Sequence, residues 1–120
     1  MTRKLTLKQS LQLIDPATLI NNFCRNNDAT IADEIESFYK KNNNVNKAIL
    51  NVLLLTALKR KNYEYQGTHY LSKILNDWKQ REINTVKKAI TVFKKTIPEA
   101  GTKEPEWFKS FYDGLSEKGW

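Results

Sequence analysis

Ile49-Leu50-Asn51-Val52-Leu53-Leu54-Leu55-Thr56-Ala57-Leu58 is the longest apolar stretch of the chain, and only Asn51 and Thr56 interrupt it. A helix of this composition is apolar nearly all round, and it is stable in water only when neighbours cover every side. The stretch therefore predicts the buried centre of a helical bundle. It is ten residues long, and a bilayer span needs about 20. Lys59-Arg60-Lys61-Asn62 closes it, placing cations where the helix dipole is negative.

On the N-terminal side the period stays helical. Asp15-Pro16 opens a first helix, an N-cap acid followed by proline at the first helical position. Leu19, Ile20, Phe23 and Cys24 form its apolar stripe, and Asn26-Asn27-Asp28 ends it. Thr30-x-x-Asp33 resembles a capping box for a second helix, whose inward face is Ile31, Ile35, Phe38 and Tyr39. Asn42-Asn43-Asn44 reads as a loop, because Asn side chains compete for local backbone groups.

On the C-terminal side, Gly67-Thr68 recaps the chain for a fourth helix over roughly 69–81. Asn84-Thr85 does so for a fifth over roughly 86–97, stopped by Pro98, with Val86, Ala89, Ile90, Phe93 and Ile97 inward. Residues 98–105 read as a linker, followed by an amphipathic segment carrying Trp107, Phe108, Phe111, Tyr112 and Leu115. That cluster either caps the core or anchors a partner or second copy. The expected fold is all-α: a compact bundle of about five helices plus a C-terminal tail helix. The expected divisions are a basic lead-in at 1–9, a helical domain at 10–97, and a linker and aromatic tail at 98–120.

A length of 120 residues fits one core of useful size. The lone Cys24 excludes an intrachain disulfide and a Cys-based zinc site, which suits a reducing cytosol, and His69 alone makes no His-rich metal site. Cys24 is expected as a small buried apolar group and His69 as a surface residue. The opening Met1-Thr2-Arg3-Lys4-Leu5-Thr6-Leu7-Lys8 lacks the apolar core of a secretory signal. A cytoplasmic protein without direct membrane insertion, metal or cofactor is expected.

The net charge of +7 is unevenly placed. Residues 59–95 hold ten basic and three acidic side chains, while the rest of the chain holds ten of each. Such concentration marks either a polyanion-binding surface or a lysine-rich face kept for solubility. The candidate contacts are Lys59, Arg60 and Lys61 closing one helix, Lys73, Lys79 and Arg81 on the next, and Lys87, Lys88, Lys94 and Lys95 on the third. Antiparallel packing after short loops brings several to one groove-like face.

Tyr70-Leu71-Ser72-Lys73-Ile74-Leu75-Asn76-Asp77-Trp78 carries the most specific pattern. Tyr70, Ile74 and Trp78 are four apart, so they share an arc of about 80° on a helix. Together with Ile83-x-Thr85-Val86-x-x-Ala89, Asp15-Pro16-x-x-Leu19 and the helix from Asn46 to Leu55, the pattern resembles the C-terminal domain shared by the DnaD and DnaB primosomal replication initiation proteins of low-GC Gram-positive bacteria. The likeness covers about residues 10–97. DnaD-type members often have Gly where Glu82 stands, so the DnaB type, the replication initiation and membrane attachment protein, is nearer. The whole proteins also carry a winged-helix domain, so an excised domain or a short, phage-borne relative is expected.

The resemblance implies a non-enzymatic module that binds single-stranded DNA and helps load the replicative helicase, with helicase loader, helicase and initiator as partners. It also implies a role in DNA binding for Tyr70, Ile74 and Trp78. Residue chemistry favours Ile74 as core, whereas Tyr70 and Trp78 either stack on bases or hold the helix that presents the lysines. The competing reading is a primosome scaffold that oligomerises or meets an acidic partner without touching DNA. An enzyme is not expected, since no phosphate loop, metal cluster or nucleophile–base set is visible.

Overall fold

The computed structural model describes residues 11–26 and 28–97. Five helices follow one another there: α1 (Pro16–Phe23), α2 (Ala29–Lys41), α3 (Lys47–Arg60), α4 (Thr68–Gln80) and α5 (Val86–Lys95). Residues 11–13 are also helical, and no strand occurs among the described residues. The fold is all-α. The lead-in at 1–9 and the tail segment lie outside the described residues.

Helix α3 is the hub. Twelve of its residues, Ala48 through Lys59, are buried, because α5, α4 and α1 all pack against it. Helix α2 lies across α1 and α4. The two polar interruptions of the apolar stretch are both satisfied. Thr56 Oγ1 donates to the Val52 carbonyl at 2.8 Å. Asn51 Nδ2 donates to the carbonyls of Leu11 at 2.6 Å and Ile14 at 2.9 Å, and its Oδ1 accepts from the Tyr39 hydroxyl at 2.7 Å. One buried amide therefore ties α2 and the segment preceding α1 to the hub, where an unpaired polar group is costly. Burial pushes the Tyr39 phenol well above its ordinary pKa.

Local chemistry sets the helix ends. Asp15, Asp28 and Asn46 cap α1, α2 and α3 by accepting from Ala17, Thr30 and Ala48 backbone N–H groups. Helix α2 thus starts from Asp28, not Thr30, whose hydroxyl and N–H both turn back onto the Asp28 carboxylate. These bonds hold that carboxylate below its usual pKa. Helix α4 begins at Thr68, after Gly67 at φ 98°, a conformation that costs glycine little.

Helices α3 and α4 end alike. Tyr63 N–H donates to Leu58 O and Asn62 N–H to Lys59 O; Ile83 N–H donates to Trp78 O and Glu82 N–H to Lys79 O. Each pair is a Schellman turn with a left-handed residue just past the helix. Those residues are Asn62 at φ 56° and Glu82 at φ 57°. Glycine takes this conformation most easily, so Asn62 and Glu82 each carry a backbone cost there.

Helix α5 stops at Lys95, two residues short of the reading from sequence. Thr96 is already extended, and Ile97, which precedes Pro98, is disfavoured in the helical region. Ile97 was expected to face inward but is 78% exposed. Cys24 is half-buried, its thiol donating to Asn26 Oδ1 at 3.1 Å, and burial raises its pKa. Asn26 clamps the α3–α4 loop by giving to Tyr65 O and accepting from Tyr65 N–H.

Candidate functional site

Helices α4 and α5 pack on the same hub and leave an open groove of about 720 Å³ between them. Helix α3 supplies Thr56 and Arg60, one turn apart at its C-terminal end. Helix α4 supplies Tyr70, Lys73, Ile74, Asp77 and Trp78, with Arg81 just past its end, and α5 and its exit supply Thr91, Val92, Lys95 and Thr96. The α4 residues recur at steps of three and four, so one helix face carries both the Tyr-Ile-Trp pattern and the charges beside it.

The floor is apolar. Trp78 is 2% exposed and Ile74 7%. Stacking on a base requires an accessible ring face, and the buried Trp78 indole offers none. Tyr70 is half-buried beneath the Lys61 ammonium, which lies 5.3 Å from its ring centroid. Ile74 and Trp78 thus hold α4 on the hub, while Tyr70 packs partly against the core and also lines the groove.

The rim is cationic. Arg60, Lys73, Arg81 and Lys95 come from three helical segments and line one groove, against the single carboxylate of Asp77. Asp77 accepts from Arg81 at 3.1 Å, an exposed pair one turn apart, and such pairs contribute little on their own. Four positive charges against one negative leave a strongly positive channel.

The other six candidate cations lie elsewhere. Lys59 departs most from a solvent-facing role: it is 9% exposed. Its ammonium donates to Phe93 O at 3.2 Å and sits 4.7 Å from the Phe93 ring centroid. It therefore fastens α5 to α3 from inside, through a buried charge that keeps its partners. Lys61 covers Tyr70. Lys79 borders a smaller pocket on the far side of Trp78, together with Glu82 and Ile83. Lys88 donates to Glu82 O and Asn84 Oδ1. Lys87 and Lys94 are exposed on α5 but do not line the groove.

Sequence reasoning missed Asp77 and the threonines Thr56, Thr91 and Thr96. A signal for Asp77 was present, since it lies four residues before Arg81 and beside Trp78. The threonines gave no such signal, because their place depends on how α3 meets α5. Among the described residues no group of three or more His, Cys, Asp or Glu could hold a metal ion, and no helix is long and apolar enough to cross a membrane.

The described residues thus form an all-α hub that carries a basic groove, with Trp78 and Ile74 buried in its floor and Tyr70 half-buried at its wall. Residues 18–92 match the family described as replication initiation and membrane attachment. That match spans more than half of the chain, which belongs to this family. No curated protein and no solved structure matches the chain significantly.

Proposed function

We propose that this chain is a non-enzymatic module of a replication initiation protein that binds single-stranded DNA by its phosphates. The observation that carries the reading is the convergence of Arg60, Lys73, Arg81 and Lys95 on one groove. Phosphate contacts position a strand without reading its sequence. With Trp78 buried and Tyr70 covered, little sequence preference is expected. Helicase loader, replicative helicase and initiator are the partners that the family context supports.

Fluorescence anisotropy with a labelled single-stranded oligonucleotide, repeated across salt concentrations, tests this. Four phosphate contacts on a single strand correspond to a slope of log K against log salt near about −3. A slope near zero, or no binding at low salt, favours a scaffold whose positive face meets an acidic protein partner.

A further inference from the structure

The groove has an entrance that the chain itself reaches. Thr96 and Ile97, the last described residues, both line it, and Ile97 stands 78% exposed at its edge. The next 23 residues, 98–120, therefore leave from the rim of the cationic channel. Their composition is opposite to it: five acidic against three basic side chains, with Glu99, Glu104 and Glu106 nearest the point of departure. They also carry the largest aromatic cluster of the chain, Trp107, Phe108, Phe111 and Tyr112. Eight linker residues at about 3.3 Å each reach roughly 26 Å, enough to turn back along the channel. A tethered segment meets its site at an effective concentration of the order of millimolar, so even weak complementarity suffices for occupancy.

We propose that residues 98–120 of this chain dock in the groove between α4 and α5 and compete there with nucleic acid. The carboxylates meet Lys73, Arg81 and Lys95. Docking rests on the groove and the tail alone. The competition rests also on the DNA-binding reading above, so the two parts have separate tests.

Docking is read without DNA. In the full chain carrying Cys24→Ser and Ser110→Cys, a nitroxide at position 110 broadens the amide resonances of Lys73, Arg81 and Lys95 at low salt. Asp33 and Glu34 on α2, which does not line the groove, stay sharp, and high salt relieves the effect. Equal broadening on both faces, or none at the groove, overturns docking.

Competition is read by strand affinity. Neutralising Glu99, Glu104 and Glu106 to Gln tightens single-strand binding about fivefold. The control neutralises Asp33, Glu34 and Glu36 and changes net charge equally at a distance, with a much smaller effect. Equal gains in both variants overturn the competition. No strand binding by any variant, with label contact at the groove intact, overturns the nucleic-acid reading and leaves the docking supported.

Discussion

The floor of the groove and its rim are built by the same three helical segments, yet their side chains answer to different physics. On the floor, Ile74, Trp78 and Ile83 are buried against α3 and act through packing. On the rim, Lys73, Arg81 and Lys95 are exposed and act through charge. Lys59 and Arg60 show the division within one peptide unit: the first is locked onto Phe93, the second lines the channel. Under the proposed function, loss of strand binding after a substitution therefore has two separable origins, a collapsed floor or a neutralised rim. Stability measured alongside affinity distinguishes them.

The largest expected effect is on the floor. Trp78→Ala removes a large, fully buried side chain and should cost about 3–5 kcal/mol in chemical denaturation. Any loss of strand binding should track loss of fold. An alanine variant of undiminished stability that nevertheless releases DNA would mean that the indole touches the strand, and the floor–rim division would fail.

The next effect lies far from the groove. Asn51→Ala leaves the Leu11 and Ile14 carbonyls and the Tyr39 hydroxyl without this partner, at about 2–3 kcal/mol. Combined with Tyr39→Phe, the losses should fall short of additive, because the two side chains share one hydrogen bond. Strict additivity would argue against the network.

A smaller change of opposite sign is expected at the end of α4. Glu82→Gly relieves a left-handed residue at φ 57° and should raise stability by about 1 kcal/mol. A destabilised glycine variant would show that the Glu82 side chain contributes more than its backbone costs.

Much of this architecture was legible from residue pattern. An apolar run with no polar face marked α3 as the hub, and Asp15-Pro16 fixed the start of α1. The ends of α2 and α5 were less legible: Asp28 and Thr30 are both competent caps, and helical periodicity continues through Ile97 although the backbone departs at Thr96. For the site, ten cations in one segment were visible, but their division was not. Lys59 and Arg60 are adjacent cations of similar helix propensity, and only the approach of Phe93 from α5, 34 residues away, separates them. Tertiary packing alone carries that information.

Single-strand affinity of two charge-reversed proteins, each verified as folded, measures the central claim most directly. One carries Lys73→Glu with Lys95→Glu inside the groove; the other carries Lys79→Glu with Lys87→Glu outside it, so the net charge is identical. The groove variant should bind labelled single-stranded DNA at least about tenfold more weakly than the other, with a shallower salt dependence. Equal losses in the two proteins would mean that overall charge, and not the α3–α4–α5 channel, attracts the strand.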